Sequence, residues 1–211
     1  MSPRTRKAYE KEKMKQLILE AAIKITDEVG YEKLSMRRIA EVIDYTPTTI
    51  YLYYKDKEQI VADIFKLLYQ EIIANVQKVI HENIHLSLDQ QIKLILESFI
   101  ETIVSKPEMG KIIISSGTKT MFGTEAETDA TSEKEEHGID LLQQFLMRGE
   151  QQGIFRQLDE HVSWMIITAL VGFSIGAIEN KMYLQENWKQ LVHVYAEILV
   201  NGLLQEGGNA R

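Results

Sequence analysis

Helical periodicity is the feature that most constrains this chain of 211 residues. Nearly every segment places its apolar side chains three or four residues apart, the spacing of one face of an α-helix. The first such stripe consists of Leu17, Ala21, Ile25 and Val29, with Ile18 and Ala22 beside it, and it stops at Gly30. Only 3 prolines and 12 glycines are present, too few for a turn-rich all-β chain. The sequence therefore predicts an all-α fold of about nine helices.

Capping residues and prolines predict where the other helices begin and end. The expected helices cover residues 36–43, 46–54, 56 to about 84, 88–104, one opened by Pro107, 133–152, 159 to about 183, and 186 to about 204. The stretch from Gly117 to Ser132 holds two glycines, five threonines and several carboxylates. This composition predicts a mobile loop or one short broken helix, and we expect the segment to act as a lid over a ligand pocket.

The cysteine count and the hydropathy pattern exclude several classes of protein. With no cysteine, the chain can form neither disulfides nor thiolate zinc sites, which fits a reducing cytosol. The longest uncharged stretch, residues 162–178, is shorter than the roughly 20 residues of a membrane-spanning helix and contains serine and glycine. The basic N-terminus lacks the apolar core of a secretory signal. We expect a soluble cytoplasmic protein without membrane association.

Charge is distributed unevenly along the chain. The net charge is −7, yet residues 1–15 carry six basic and two acidic side chains. Residues 1–60 have a net charge of +2, and the remainder has −9. A basic N-terminal segment followed by an acidic remainder is expected of a protein that binds a polyanion at one end. A solvated basic tail would give the same pattern.

Two short predicted helices around a turn at Asp44–Tyr45 form a helix-turn-helix pattern, whose second helix fits the major groove of DNA. Ile50 and Tyr54 are expected to turn inward. The opposite face then carries hydroxyl, phenol and ammonium groups, which can contact phosphates and base edges: Pro47, Thr48, Thr49, Tyr51 and Lys55. The alternative is that the tyrosines in this run pack as an aromatic core.

This region resembles the TetR/AcrR family of bacterial one-component transcriptional regulators. The resemblance covers residues 16–61 and rests on Ile18-x-x-Ala21-Ala22, Glu28-Val29-Gly30-Tyr31, Ser35-Met36-Arg37-Arg38-Ile39-Ala40, and the run from Thr46 to Glu58. Two positions depart from the family pattern. Asp44 stands where glycine is usual, and Thr48 stands where a smaller residue is usual, so the operator sequence cannot be taken from relatives.

The resemblance implies a ligand-responsive regulator, expected to be a repressor that binds palindromic operator DNA as a homodimer, is associated with the nucleoid, and is released by a small molecule. It implies a DNA-binding domain at residues 1–60 and a ligand-sensing, dimerising domain at residues 61–211. By resemblance, the DNA contacts are Arg37, Thr46, Pro47, Thr48, Thr49, Tyr51 and Lys57. The basic character of the sequence itself adds Lys55, Arg4, Arg6 and Lys7. Arg38 is expected either to contact DNA or to pair with Glu41 or Glu12.

The last two predicted helices are expected to form the dimer interface that the resemblance implies. Their apolar surface exceeds what one helix pair hides, and glycines four residues apart permit close approach of a partner. The interface residues are Trp164, Gly172, Phe173, Gly176, Trp188, Tyr195 and Ile198. Without the family, an intramolecular core helix explains the same pattern.

A pocket for a small apolar or amphipathic ligand is expected among helices five to eight. Its candidate wall residues are Phe99, Ile103, Met109, Ile113, Met121, Phe122, Phe145, Met147, Met165 and Thr168. Methionine suits a permissive apolar site, although methionines and aromatics at helical spacing also form ordinary cores.

Enzyme chemistry has no support in the sequence, and we expect no cofactor or metal. His81 and His85 are four residues apart, but no third metal ligand accompanies them. The run Ser115–Thr120 is not a phosphate-binding loop. It lacks the first glycine of that motif, the order Gly-Lys-Ser/Thr at its end, and a preceding strand. The alternative function is a helical small-molecule carrier or protein-binding module whose helix-turn-helix no longer functions.

Overall fold

The computed structural model describes residues 3–113 and 138–205, and these residues form nine α-helices. They are α1 (Pro3–Val29), α2 (Met36–Val42), α3 (Pro47–Tyr51), α4 (Lys57–Glu82), α5 (Leu88–Ser105), α6 (Pro107–Ile112), α7 (Gly138–Gln151), α8 (Val162–Glu179) and α9 (Trp188–Asn201). Short 3₁₀ helices cover Tyr31–Lys33 and Met182–Leu184. The predicted all-α fold is confirmed. The predicted loop at 117–132 lies outside the described residues.

The chain divides into two compact units. The first comprises residues 1–68 and 106–117, and the second comprises residues 69–105 and 118–211. The expected boundary at residue 60 falls inside α4, and the sequence pattern did not indicate that α6 belongs with the N-terminal helices. The reason is physical: the C-terminal end of α1 and the turn after it pack against α6, a contact between segments far apart in sequence.

The core of the first unit is built from helix faces that the periodicity only partly located. Ile18, Ala22, Ile39 and Ile50 are inaccessible to solvent. The expected stripe on α1 is rotated, because Leu17 and Val29 are exposed while Ile18, Ala21, Ala22 and Ile25 are buried. α1 also begins at Pro3, so the basic N-terminal segment is helical and is not an extended tail.

In the second unit, α5 packs against α8 and α9, and α7 packs against α8. Arg156 donates its backbone N–H to the Leu203 carbonyl (2.9 Å), and Gln205 donates to the Ile154 carbonyl (3.1 Å). These bonds flank an isolated antiparallel bridge between Phe155 and Leu204. They fasten the segment after α7 to the end of α9.

Several helix ends differ from the sequence expectation. α8 ends at Glu179 and not near Tyr183, because Lys181 adopts a left-handed conformation (φ 53°) that breaks the helix before the 3₁₀ turn. α9 ends at Asn201, where Gly202 caps it. α8 is the one helix in the described ranges that is long and apolar enough to cross a membrane, with a mean hydropathy of 1.7. A helix that packs against other helices in a globular domain has the same length and composition.

Candidate nucleic-acid interface and ligand cavity

Local hydrogen bonds fix the helix-turn-helix. The Ser35 hydroxyl accepts the backbone N–H of Arg38 (3.2 Å) and so caps α2. The Thr46 hydroxyl accepts the N–H of Thr49 (3.3 Å) and caps α3, with Pro47 at the first helical position. Both caps satisfy backbone donors that a helix start leaves unpaired. The sequence predicted both caps correctly.

The turn between the two helices depends on Asp44. Its φ is 59°, in the left-handed region where glycine is favoured and aspartate is tolerated. Tyr45 then donates its N–H to the Ala40 carbonyl at 2.9 Å. Asp44 thus takes a conformation that glycine usually supplies in such a turn.

The outward face of α3 carries the side chains that were expected there. Pro47 and Thr48 are exposed, Tyr51 is 56% exposed, and Thr49 is half-buried with its hydroxyl 3.0 Å from that of Thr46. Ile50 is fully buried on the opposite side. The structure therefore places Pro47, Thr48 and Tyr51 on the outward side of α3.

Tyr54 belongs to the core and not to this surface. Its hydroxyl donates to Asp63 Oδ2 at 2.8 Å, and the Lys15 ammonium lies 5.3 Å from the centre of its ring. Burial, followed by the bond to Asp63, raises the pKa of Tyr54 well above its ordinary value. The packing interpretation of the tyrosine run is confirmed for this residue.

The two lysines that follow α3 have different surroundings. Lys55 is exposed, and its backbone N–H donates to the side chain of Gln59 (2.8 Å). Lys57 is half-buried: its ammonium donates to the Tyr31 carbonyl (3.3 Å) and lies 5.3 Å from the centre of the Tyr31 ring. Sequence reasoning missed this contact, because it joins residues 26 positions apart.

The arginines of α2 are engaged with neighbouring groups. Arg37 pairs with Glu41 at 2.9 Å, a helical i,i+4 pair at the surface. Arg38 donates from its guanidinium to the Lys33 carbonyl at 3.2 Å. The expected pairing of Arg38 with Glu41 is therefore replaced by that of Arg37, because Arg37 lies one helical turn before Glu41.

The remaining basic candidates lie on the first turns of α1. Arg6 and Lys7 are exposed, and Arg6 pairs with Glu10 at 2.9 Å. The side chain of Arg4 lies outside the described residues.

A cavity opens in the second unit between α4, α5, α7 and α8. Its volume is about 650 Å³ when the solvent at its mouth is included. Phe99 and Phe145 were expected in its wall and lie there. Its one hydroxyl among the described lining residues belongs to Tyr69, which accepts the backbone N–H of Gly138.

Most other predicted pocket residues lie elsewhere. Met147 and Met165 are 50% and 56% exposed and Thr168 is exposed, because they occupy the faces of α7 and α8 that turn away from the cavity. Ile103 is buried outside the lining. Met109 and Ile113 are buried in the first unit. Met121 and Phe122 lie outside the described residues. The periodicity missed α4, which contributes Tyr69, Ile72, Ile73, Val76 and Ile80.

The predicted dimer residues form two groups. Phe173 stacks on Tyr195 (ring centres 4.0 Å apart) and on Trp188 (5.9 Å), and the Tyr195 hydroxyl donates to the Ala169 carbonyl. Burial raises the pKa of Tyr195. Trp164 and Ile198, in contrast, are exposed, Ile198 at 62%. Around Gly172 and Gly176 the chain leaves open space where a side chain would begin.

Metal ligands do not cluster in the part of the chain that the structure describes: no three His, Cys, Asp or Glu side chains there could hold one ion. His81 and His85 are both exposed near the end of α4.

Comparison with known proteins identifies the N-terminal region. Residues 18–64 match the sequence model described as "Bacterial regulatory proteins, tetR family". The chain is similar to an uncharacterized HTH-type transcriptional regulator, YhgD of Bacillus subtilis, with 34% identity over 80 residues. That match covers 35% of this chain and 42% of the relative, so the chain spans about two fifths of that protein's length.

Solved structures share the fold over nearly the whole chain. The fatty acid degradation regulator FadR from Bacillus halodurans superposes with a TM-score of 0.63 at 18% identity, covering 93% of this chain and 97% of FadR. The regulator FadR from Bacillus subtilis, in complex with stearoyl-CoA, gives a TM-score of 0.62 at 19% identity, covering 89% and 98%. At such identities the likeness extends to the fold alone.

Proposed function

We propose that this chain, which belongs to the TetR family of bacterial regulatory proteins, binds operator DNA as a homodimer and is released by a small molecule. The observation that carries the proposal is the outward face of α3. There, Pro47, Thr48 and Tyr51 are exposed on a helix whose start is capped and whose opposite side is buried. A short, rigid helix with a polar face is the part of a helix-turn-helix that enters the major groove.

The contacts divide into those that read bases and those that hold phosphates. Pro47, Thr48 and Thr49 would face base edges, because they lie at the N-terminal end of the recognition helix. The phosphate contacts would come from Arg37, Thr46, Tyr51, Lys55 and Lys57, with the first turns of α1 supplying Arg4, Arg6 and Lys7. Such contacts position the protein without reading sequence.

A homodimer would place two recognition helices on one palindrome. The open space at Gly172 and Gly176 and the exposed Ile198 support an interface on α8 and α9, because a partner helix could approach there closely. Ring stacking between α8 and α9 would make this face rigid, because Phe173 packs on both Trp188 and Tyr195.

Ligand binding would act by shifting the population of conformations. α4 supports this idea, because one continuous helix carries Asp63, which holds Tyr54, and also the cavity residues from Tyr69 to Ile80. A ligand that repositions α4 would move the two recognition helices off their spacing of about 34–36 Å, one turn of DNA. On these grounds we propose that the chain acts as a repressor.

A gel shift with fragments of the source genome tests this function. We expect a sequence-dependent band for the natural protein and a weaker one when Tyr51 and Lys55 are both replaced by alanine. A variant altered at Met147, which lies far along the chain from α3 and is exposed, is the control and should bind normally. Uniform weak binding to every fragment would instead support the carrier or protein-binding alternative.

A further inference from the structure

Tyr54 follows α3 along the chain and ties this helix to the rest of the first unit. We propose that Asp63, which accepts the hydrogen bond of the Tyr54 hydroxyl, is a positioning residue for base recognition, an inference that rests on the proposed binding of operator DNA. Asp63 fixes the direction of α3 without itself touching DNA. The pair thereby sets how well the protein distinguishes its operator from other DNA.

α3 is too short to hold its own direction. Its five residues, Pro47–Tyr51, span roughly 7–8 Å, which is less than two helical turns. A helix of this length is not stable alone in water, so its orientation depends on its neighbours. The Thr46 cap and the buried Ile50 hold its start and middle. After α3, Leu52 is 74% exposed, and Tyr54 is the next buried residue that can anchor the end.

Backbone hydrogen bonds connect Tyr54 to α3. Its N–H donates to the Ile50 carbonyl at 3.1 Å, and the N–H of Tyr53 donates to the same carbonyl at 2.9 Å. These bonds continue the helical turn past Tyr51, the last residue of α3. A displacement of Tyr54 therefore displaces the end of the helix as well.

Two other helices hold the side chain of Tyr54, which is 3% exposed. From α4, Asp63 accepts its hydroxyl at 2.8 Å. From α1, the Lys15 ammonium lies 5.3 Å from the centre of its ring, within the range of a cation–π contact. Asp63 is flanked by Ile60 and Ile64, both of which are inaccessible to solvent, so the core fixes its backbone.

The hydrogen bond adds direction to this packing. A bond to a carboxylate is stronger than one between neutral groups, and it weakens steeply when its angle changes. Packing of the ring alone lacks this directional restraint. The Tyr54–Asp63 bond therefore determines where the hydroxyl end of the ring lies, and with it the direction in which α3 points.

Accurate placement matters more for base contacts than for phosphate contacts. Hydrogen bonds to base edges depend on distance and angle, and a site that is about 1 Å too loose no longer makes them. Lysine and arginine side chains bind phosphates through electrostatic attraction that is independent of sequence. Loss of the Tyr54–Asp63 bond should therefore weaken binding to the operator while binding to other DNA is unchanged.

The preference for operator over other DNA tests the proposal. It is the ratio of two affinities of the full chain, measured by fluorescence anisotropy: one for the fragment that gives the band in the gel shift, and one for a shuffled fragment of equal length and composition. Tyr54→Phe keeps the ring and removes the hydroxyl, so it should lower this ratio by about tenfold. Affinity for the shuffled fragment and its salt dependence should not change. An unchanged ratio would overturn the proposal.

Substitutions of Asp63 test whether the two side chains act as a pair. Asp63→Ala leaves the Tyr54 hydroxyl buried without this acceptor, so it should lower the ratio further than Tyr54→Phe does. The variant with both substitutions should be no worse than Tyr54→Phe alone, because it no longer has a hydroxyl to satisfy. Asp63→Asn should keep most of the preference, since an amide oxygen also accepts. Independent effects, or equal losses for Asp63→Asn and Asp63→Ala, would overturn the proposal.

Two control variants separate positioning from general effects. Asp140→Ala removes one carboxylate from an exposed position of α7, and it should leave the ratio unchanged. Ile25→Val trims a buried side chain of α1, ten positions from Lys15, so it should lower the melting temperature but keep the ratio. If the ratio instead follows the melting temperature in every variant alike, Asp63 stabilises the fold and does not position α3.

The natural protein separates this inference from the proposed function. Equal affinity of the natural protein for the two fragments would refute operator binding, and the role of Asp63 with it. A clear preference of the natural protein that Tyr54→Phe and Asp63→Ala both retain would refute the role of Asp63 alone.

Discussion

Thr48 lies in the first turn of α3 with its side chain in solvent. Its hydroxyl and methyl group can both meet a base edge. Thr48→Ala should change which bases the protein prefers, as measured by selection from a random DNA library. Lys55→Ala, a phosphate-side variant, serves as the control and should keep the preference. An unaltered preferred sequence for Thr48→Ala would remove this residue from the base contacts.

Lys55 and Lys57 should differ in what their loss affects. Each is proposed to neutralise one phosphate, so either alanine variant should lower the slope of log K against log salt by about one unit. Lys57→Ala should also lower the melting temperature, because it removes the hydrogen bond to the Tyr31 carbonyl and the contact with its ring. Lys55→Ala should melt normally. Equal melting temperatures for both variants would show that the Tyr31 contact contributes little.

Asp27 links folding to pH. Burial raises the pKa of this carboxyl above its ordinary value of 3.8, although the nearby Lys106 opposes the shift. The folded state therefore holds this proton more tightly than the unfolded state. The protonated carboxyl of Asp27 therefore contributes to the stability of the folded state. This contribution is complete below the ordinary pKa of the group and is lost as pH rises through its raised pKa in the folded state.

Asp27→Asn should accordingly raise the melting temperature slightly at neutral pH, because Asp27 is largely exposed and the neutral amide avoids only a partial loss of carboxylate hydration. The difference from the natural protein should shrink as the pH is lowered towards 3.8. Thermal melts across that range measure it. A gain that is independent of pH would assign the effect to something other than ionisation.

For single residues, the sequence predicted hydrogen bonds to near neighbours in the chain. It did not predict contacts between residues distant in sequence. Ser35, Thr46 and Asp44 act on residues within five positions, so their caps and turn followed from residue type alone. The contacts of Lys57 with Tyr31 and of Tyr54 with Asp63 depend on how helices pack. The sequence predicted that Tyr54 is buried but did not predict its hydrogen bond to Asp63.

Among the helices, α1 differs most from its sequence prediction, in where it begins and in which face is buried. Lysine, arginine, glutamate and alanine in its first turns are good helix formers, and Arg6 and Glu10 make an i,i+4 pair. The charge of this segment suggested a tail, while its helix propensity pointed to the helix that is present. The apolar stripe was misplaced because neighbouring apolar residues such as Leu17 and Ile18 make two faces equally plausible.

α7 is fixed to its neighbours through Gly149. A side chain there would collide with the ring of Phe155, which is 2% exposed. Gly149→Ala should destabilise the protein by about 1–3 kcal/mol, the usual cost of overpacking, as measured by urea unfolding. Gln151→Ala, at an exposed position of the same helix, should stay within about 0.5 kcal/mol. A neutral Gly149→Ala would mean that Phe155 can turn away at little cost.

At the scale of the whole molecule, substitutions at Gly176 test the proposed dimer. Gly176→Leu would fill the space through which a partner helix is proposed to approach, so the variant should sediment as a monomer or a weaker dimer with much reduced operator affinity. Gly176→Ala should have a smaller effect, because one methyl group finds open space in the protomer. Circular dichroism should show both variants folded. A normal dimer with normal affinity for Gly176→Leu would place the interface elsewhere.

The sequence predicted the class of fold and the polar face of α3 but little of the cavity. Phe99 and Phe145 were placed in the wall correctly, whereas the contribution of α4 was missed. Periodicity shows that a helix has an apolar face but not which neighbour covers it, so a wall shared by four helices cannot be deduced from spacing. The assignment of α6 to the first unit escaped prediction for the same reason.

The length of α1 also has a consequence for how quickly DNA is found. A helix of 27 residues is about 40 Å long, and its residues 5–13 are exposed throughout. Lys7, Lys11 and Lys15 are four residues apart and share one side, which the position of Lys15 over Tyr54 orients. Ammonium groups held in a row on a stiff helix attract a polyanion before any base is touched. We therefore expect these lysines to act mainly on the rate of association with DNA, which should fall as salt increases, and less on the lifetime of the complex.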